Sequence, residues 1–452
     1  MAKPNPPENR APWYKGTAPA YAGIFLWVVF YREIAGGTLN QAGLWLSLVG
    51  LVVAALICHF LFYLVPGMYG MKTGYPLYVI GSSTYGTAGG FLMPGLLMGL
   101  LQFGWLAVNI AVATDFICQG VGIERTAGVG EFQGVPFTII AVIWAVLAVF
   151  VALKGIQYVG KVSTFLPIVP LIMILIVFFA NVGAAADYKP AEDAKPLTGF
   201  LTIITIVVGF FATAGAAGVD FGMGNRNKKD VQLGGLVGIA LAILVAGGLP
   251  LIAIAGVNAA SDTDVGMQFD AAISSAGGMA KVMFILFAVA SFAPACFCSF
   301  IAGNSIGTMF PKTNKTVTVS IGAVVALILA IMGWALNLVG VFNIIGASFG
   351  PICGAMVADY LLSGCKWSGP RKGVNLAGYI SWAAGFIVAI LPTINPEKFA
   401  FISPAPVIAF VIGLVLYAVL AKLGLQPEVV PMETAPAEEA VSPGPEAQTD
   451  QP

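Results

Sequence analysis

Three polar or aromatic residues in one apolar segment form the clearest candidate binding surface in the sequence. Gln102, Trp105 and Asn109 are spaced i, i+3 and i+7, which places two amides and an indole on one helix face. An indole can stack on a flat heteroaromatic ligand, and amides can donate and accept hydrogen bonds at its ring edges. The alternative is an amide bond between helices beside a packing tryptophan. The spacing favours one wall of a pocket for a planar ligand.

Few charges interrupt the apolar segments, and those few are candidates for function. A charge near the middle of a bilayer costs several kcal/mol unless it is paired or wetted. Arg32 and Glu33 precede Gly36–Gly37, where we expect the first helix to be broken, and in a broken helix the two charges can neutralise each other. Asp220 and Asp359 are expected at the cytoplasmic ends of two later helices. There they would act as ion pairs or caps near Arg226 and the inner lysines, and would shape a gate without touching substrate.

The composition is that of a membrane protein. Of 452 residues, 58% are hydrophobic and 9% are charged, whereas soluble domains carry about 25% charged residues. Apolar stretches of about 20 residues match a hydrocarbon layer about 30 Å thick. They predict an all-α polytopic membrane protein with twelve transmembrane helices, at Thr17–Ala35, Leu44–Val65, Phe91–Cys118, Val135–Leu153, Lys161–Val182, Leu201–Asp220, Gly234–Val257, Val282–Gly303, Val317–Leu336, Val341–Leu362, Leu376–Leu391 and Pro404–Leu423.

Charge and composition also exclude several partners and define the ends of the chain. Lys plus Arg and Asp plus Glu both number 21, so there is no basic field to hold nucleic acid. One histidine and six scattered cysteines predict no metal site. We expect residues 1–16 to be a cytoplasmic segment without a cleaved signal peptide, 17–425 the transmembrane domain, and 426–452 a disordered cytoplasmic tail. An inner N-terminus puts fifteen positive residues inside and five outside, so both termini are predicted to be cytoplasmic.

The pattern of interruptions favours a carrier over other membrane proteins. An enzyme would need a cluster of His, Asp or Glu, and a channel a pore ring or filter motif. A carrier needs broken helices near the midplane. Phe30–Gly37 and the small-residue run Gly209–Gly218 lie five predicted spans apart. Small residues alone would indicate tight packing, but interruptions at matching positions favour five-plus-five inverted repeats.

Five short motifs, in order over about residues 15–420, resemble the bacterial cytosine permeases of the nucleobase–cation symporter-1 family. They are Ala35–Leu39, Lys72–Gly74, Gln102–Trp105, Asp220–Gly222 with Asn225–Asn227, and Pro351–Gly354 with Ala358–Tyr360. The resemblance implies a leucine-transporter-type fold in which spans one to ten form the inverted repeat and spans eleven and twelve are peripheral.

The same resemblance implies a function. It predicts a secondary transporter of the bacterial cytoplasmic (inner) membrane, not an enzyme, that imports a nucleobase such as cytosine by alternating access. A carrier of the same fold for an amino acid, an amine or a vitamin is the alternative. A membrane sensor is less favoured, because no signalling domain is attached. The sequence leaves the oligomeric state open.

The resemblance also implies roles for particular residues. In the family, the residues at the Trp105 and Gln102 positions stack on and hydrogen-bond the nucleobase. Phe210 and Phe211 match the aromatic residue that the family places on the other side of the ligand. Asn109, Thr213 and Cys296 complete the predicted substrate-binding set.

Span eight departs from the family pattern, which leaves the coupling ion open between H⁺ and Na⁺, with no other cofactor expected. Symporters of this fold place hydroxyl residues there to complete a sodium site, but this chain has Pro294 and Ala295 at those positions. Ser291 can serve only if the register is shifted by a turn. A fixed positive charge at Arg32, or at Lys161 at the start of span five, could replace the ion and brace spans one and eight. Transport would then be indifferent to sodium. The alternative is that the arginine only neutralises its neighbour.

Overall fold

The regular structure of the protein is helical. The computed structural model describes residues 4–124, 127–155, 158, 166–261, 265–310 and 312–431. In this part of the chain ten helices are long and apolar enough to cross a membrane: Leu39–Thr73, Gly89–Val121, Val135–Lys154, Ile168–Asp187, Pro196–Ala216, Lys228–Ala260, Gly277–Gly307, Leu338–Leu362, Leu376–Ile394 and Ala405–Lys422. The prediction of an all-α polytopic membrane protein is therefore confirmed at the level of these ten helices.

Shorter helices fill the remaining predicted spans and several connections. The ninth predicted span overlaps the helix Lys315–Ile331, and the first contains two helices, Thr17–Phe25 and Val28–Arg32. Four further short helices lie in connections or extend a span: Leu77–Tyr85, Gly218–Gly222, Phe269–Ser274 and Pro396–Phe399.

The helices form where backbone polar groups have to be satisfied within the segment, because hydrocarbon offers them no partner. Their ends follow local sequence signals. Gly74 and Gly122 end the second and third spans in the left-handed conformation, at φ 70° and 79°. Pro196 begins the sixth span, where a missing backbone N–H costs nothing. Large apolar side chains on the flanks remain exposed, as a surface covered by lipid requires, including Trp45, Ile143 and Phe179.

The first span is broken, but ten residues earlier than we predicted. Its first helix ends at Phe25, and the chain is extended at Trp27, with φ −70° and ψ 125°, before the second helix begins at Val28. Any residue can adopt this extended conformation, so the break needs no glycine. Gly37, at φ +67°, lies instead in the turn that leads into span two. The expectation of a break at Gly36–Gly37 is therefore wrong.

The sixth span is interrupted at the end of its small-residue run. The helix Pro196–Ala216 stops at Ala217, and the short helix Gly218–Gly222 continues from there. Close contact of backbones explains the glycine at the end of this short helix, Gly222. A Cβ at position 222 would lie 2.2 Å from the carbonyl oxygen of Gly67 in span two. Both broken spans therefore have a short second helix that packs against its neighbours.

Spans two and seven each contain a π-helical segment, Cys58–Tyr63 and Leu236–Leu241. The two spans lie against each other at this level. The hydroxyl of Tyr63 donates to the carbonyl oxygen of Val231 at 3.1 Å, and a Cβ at Gly235 would lie 2.5 Å from Nδ1 of His59. The π segment of span two thus contacts span seven in the turns that directly precede the π segment of span seven.

Both ends of the described chain lie at the same end of the helix bundle, which we call the terminal face. Arg10 donates to the carbonyl oxygen of Met71 at 2.6 Å. The adjacent Lys72 donates to the carbonyl oxygen of Cys365 at 2.7 Å, in the connection between spans ten and eleven. The backbone N–H of Val430 pairs with this same connection. The placement of both ends on one face agrees with an even number of spans.

The first residues of the predicted disordered tail are ordered by pairing. The backbone N–H of Lys372 donates to the carbonyl oxygen of Glu428 at 3.0 Å, and that of Val430 donates to Pro370 at 2.7 Å. Residues 426–431 therefore form a strap along the terminal face, which corrects the expected boundary of the tail. The rest of the predicted tail, from 432, lies outside the described residues.

Candidate substrate-binding site

A cavity of about 550 Å³ lies between the two broken spans, with further walls from spans three and eight. Four of the seven predicted substrate-binding residues line it: Gln102, Trp105, Phe210 and Thr213. Its size falls within the range of small-molecule sites, about 300–1,000 Å³. The cavity extends towards the terminal face, where Asp220 and Met223 line it.

Aromatic rings form the deep wall of the cavity. Trp105 has its ring centroid 5.2 Å from that of Phe210, at an interplanar angle of 73°, and 5.6 Å from that of Trp27. The indole N–H of Trp105 donates to Oγ1 of Thr213 at 3.2 Å, which fixes the orientation of the ring. Trp27, in the extended break of span one, also lines the cavity. Sequence analysis missed Trp27 because the break was expected ten residues later.

Gln102 is the polar group best placed to meet a ligand on this wall. Its amide nitrogen lies 3.7 Å from the thioether sulfur of Met98, and a thioether is a weak acceptor. The amide therefore keeps capacity to donate and accept towards the cavity. Asp220, predicted to stay away from substrate, lies on the cavity wall. Its Oδ1 accepts from the backbone N–H of Leu77 at 2.9 Å, so it also caps the helix Leu77–Tyr85.

The structure places the other three predicted substrate-binding residues behind the wall. The amide nitrogen of Asn109 donates to the carbonyl oxygen of Ser291 at 2.7 Å, and its oxygen accepts from the indole of Trp144 at 3.0 Å. This is the interhelical amide bond that we considered as the alternative. Phe211 stacks on the ring of Phe25, with centroids 5.6 Å apart. Cys296 is fully buried, while Phe297 and Cys298 line the cavity instead.

Arg32 is the last residue of the second helix of span one, five residues beyond the break at Trp27. Its guanidinium pairs with Asp115 of span three and with Asp270 of the connecting helix Phe269–Ser274. The contacts to Asp270 are bidentate, at 3.0 Å from Nε and 2.6 Å from Nη2. Arg32 thus joins span one to span three and to the connection between spans seven and eight. The expected bridge between spans one and eight is not formed by these contacts.

The other predicted coupling residues have different surroundings. Glu33 accepts a hydrogen bond from the amide of Gln268 at 2.5 Å rather than forming an ion pair with Arg32. Ser291 donates to the carbonyl oxygen of Phe287 at 3.0 Å, within its own helix turn. Lys161 lies outside the described residues. Asp270 has no feature in the sequence that separates it from other loop acids, so sequence analysis could not single it out.

Asp359 lies in a buried network away from the cavity. It accepts from the hydroxyls of Ser83 at 2.7 Å and Tyr417 at 3.0 Å, and from Nη2 of Arg371 at 3.3 Å. Its cationic partner is therefore Arg371, not the Arg226 or the lysines that we expected. The network ties span ten to span twelve and to the terminal face.

Residues 6–366 match the model of a protein family described as permeases for cytosine and purines, uracil, thiamine and allantoin. The cytosine permease of Escherichia coli strain K12 is 26% identical over 352 residues, which cover 76% of this chain and 75% of that protein. A putative allantoin permease of the same strain is 23% identical over 403 residues, covering 79% and 81%.

Two solved structures share the fold. Mhp1, a nucleobase–cation-symport-1 family transporter, in a closed conformation with bromovinylhydantoin bound, has a TM-score of 0.68 at 18% identity, covering 93% of this chain and 94% of that chain. Inward-facing Mhp1 has a TM-score of 0.66 at 17% identity, covering 96% and 100%. Since the family model spans most of the sequence, the chain belongs to the cytosine and purine permease family and is a transporter, not an enzyme.

Proposed function

We propose that this permease imports a nucleobase such as cytosine, or a related planar nitrogen heterocycle, by alternating access. The observation that carries the proposal is the cavity between the two broken spans, where aromatic rings and one available amide meet. The ligand stacks on Trp105 and Phe210. The amide of Gln102 hydrogen-bonds its ring edge, because an amide can match a donor–acceptor pattern on a heterocycle.

The proposed state of the structure is inward-facing. The cavity reaches the terminal face, which we assign to the cytoplasm because the positive residues of the chain cluster on that side. On the other side, the rings of Phe30, Phe210 and Phe342 pack at centroid distances of 5.0 and 5.4 Å and cover the cavity. Release to the cytoplasm then needs no rearrangement of these rings, whereas entry requires them to separate.

The proposed membrane arrangement has twelve spans in the bacterial inner membrane, with both termini cytoplasmic. Spans one to five and six to ten form the inverted repeats, and spans eleven and twelve are peripheral. The matching breaks at Trp27 and Ala217, five spans apart, support this arrangement.

The proposed coupling cation is H⁺ or Na⁺, and the sequence of span eight favours H⁺. Pro294 and Ala295 occupy the positions where the family pattern has hydroxyls, and Pro294 lines the cavity. Neither side chain can coordinate a cation, because neither has a donor oxygen. We therefore expect uptake to continue when sodium is withdrawn, and a strict sodium requirement would contradict this part of the proposal.

A carrier of an amine or a cationic vitamin is the second candidate. The carboxylate of Asp220 on the cavity wall favours it, since an anionic group attracts a cationic ligand. Uptake of radiolabelled cytosine, uracil, hypoxanthine and allantoin into vesicles separates the two proposals. Saturable uptake of one of these, competed by the others rather than by amines, supports the nucleobase assignment. Competition only by amines or thiamine would overturn it.

A further inference from the structure

The contacts of Arg32 do more than neutralise its charge, because they also join separate elements of the helix bundle. We propose that Arg32, Asp115, Asp270 and Gln119 form a latch that holds the non-cytoplasmic side of the transporter closed, and that Asp270 leaves the latch when this side opens. This proposal rests on alternating access, but on neither the substrate nor the coupling cation proposed above.

The latch joins three elements that have to separate for a ligand to enter. Arg32 belongs to the outer half of span one, Asp115 to span three, and Asp270 to the connecting helix Phe269–Ser274. Gln119, one turn beyond Asp115, donates from its amide to both carboxylates, at 3.3 and 2.9 Å. The ion pairs to Arg32 thus act with a shared amide to hold the connecting helix against the bundle.

A neighbouring apolar contact seats the connecting helix in the same place. Phe269 is fully buried. Its ring lies 5.1 Å from that of Tyr31 in span one and 5.7 Å from that of Phe287 in span eight, nearly perpendicular to both. The ring therefore wedges between the two spans, directly beside Asp270. Glu33 and Gln268 add a second polar contact between span one and this connection.

The three charged side chains of the latch differ in burial, and this difference allows the latch to open. The side chain of Arg32 is 4% exposed and that of Asp115 is 3% exposed, whereas that of Asp270 is 14% exposed. When the connecting helix lifts, Arg32 and Asp115 remain a neutral pair, so neither is left as an unpaired buried charge. Asp270 moves towards water, where a carboxylate is well solvated. The guanidinium of Arg32 thus pairs with Asp115 and Asp270 in the closed state and with Asp115 alone in the open state, which gives two discrete states.

Substitution of Asp270 by asparagine tests the latch with little change of shape. Spin labels at the exposed positions Val121 and Ser274, in a Cys365→Ser background, report the distance between span three and the connecting helix. The other five cysteines are buried. Asp270→Asn should raise the ratio of long-distance to short-distance populations about tenfold, since a hydrogen bond to a charged group is lost. Asp270→Glu should restore the short distance in part.

Asp193→Asn, an exposed acid in the connection between spans five and six, is the matched control. An unchanged distance distribution in Asp270→Asn, or an equal change in the control, would overturn the proposal.

A bridge across the second contact provides an independent test. Cysteines at Glu33 and Gln268, joined by a short bifunctional thiol reagent with a cleavable linker, should abolish uptake of the transported substrate, and cleavage should restore it. The same double variant before bridging reports on transport itself, so a wrong substrate assignment shows there as absent uptake. Full uptake by the completely bridged protein would mean that the connection does not move, and the latch would be wrong.

Discussion

At the scale of single residues, the cavity depends on how one indole is held. Trp105 contacts Trp27 and Phe210 with its ring and Thr213 with its N–H, so its plane is fixed before a ligand arrives. A fixed plane lowers the entropic cost of binding, because no side chain has to be ordered. Gln102, one turn earlier on the same helix, is positioned by that helix rather than by partners of its own.

Loss of the Trp105 ring should therefore abolish measurable uptake without preventing insertion. Stacking of a base on an aromatic ring contributes about 1–3 kcal/mol, and Trp105→Ala removes it together with the hydrogen bond to Thr213. Trp105→Phe should be milder, since part of the π surface remains. Uptake into vesicles, normalised to the amount of protein in the membrane, measures the effect.

Trp45→Ala is the matched control, because Trp45 is 71% exposed towards the lipid. Normal uptake by Trp105→Ala would show that the indole is only a packing residue.

Asp359 should matter for stability rather than for binding. It is fully buried, and Asp359→Asn leaves the guanidinium of Arg371 without its anionic partner. Breaking a buried ion pair costs about 3–5 kcal/mol, so the purified variant should unfold at a clearly lower temperature in detergent. The double variant Asp359→Asn, Arg371→Gln should lose less thermal stability than the sum of the losses in the two single variants.

The exposed Asp187 provides the control, since Asp187→Asn removes a carboxylate with little burial. A melting temperature of Asp359→Asn equal to that of the control would show that the network contributes little.

At the scale of elements, the length of the apolar runs and the order of the motifs predicted the helices well. They did not predict the details of packing. Ten spans follow from runs of apolar residues, because burial in lipid depends on composition and length alone. The break at Trp27 was missed because an extended residue leaves no compositional mark. Asn109 lies near the face of Trp105, as its spacing indicated. Because this helix is buried on nearly all sides, however, the spacing alone does not say which neighbours a side chain contacts. Its partners turned out to be Ser291 and Trp144.

The contact between span two and the short helix after span six leads to a further prediction. A Cβ at Gly70 would lie 1.9 Å from the carbonyl oxygen of Val219, so Gly70→Ala should force the two elements apart. Overpacking of this kind costs about 1–3 kcal/mol, which fluorescence-detected thermal unfolding in detergent can measure. Gly104→Ala is the matched control, since a Cβ there meets nothing within 4 Å. Equal melting temperatures for the two variants would contradict the close approach.

At the scale of the whole molecule, the strap of residues 426–431 joins the end of the chain to the terminal face. Arg371 donates from Nη1 to the carbonyl oxygen of Pro427 at 3.3 Å, and Gln426 donates to the hydroxyl of Tyr417 at 2.9 Å. These contacts connect the strap to the buried network around Asp359. The strap therefore belongs to the folded unit rather than to the tail.

Two truncations separate the strap from the residues that follow it. Removal of 432–452 keeps every strap contact described above, so the melting temperature and uptake should stay at the wild-type level. Removal of 426–452 deletes several hydrogen bonds of about 1 kcal/mol each, so the protein should unfold at a lower temperature. Thermal unfolding of both proteins, prepared in parallel, is the measurement. Equal stability of the two truncations would mean that the strap does not hold the terminal face together.

The paired π-helical segments of spans two and seven also bear on ancestry. A π turn contains one residue more than an α turn. The π segment lies in the second half of span two, Leu39–Thr73, but in the first half of span seven, Lys228–Ala260. If the two proposed repeats had inherited one such turn from a half-length ancestor, it would lie at the same position along both helices. Duplication of a single ancestral turn therefore does not account for the pair, and we expect that the two π turns arose separately.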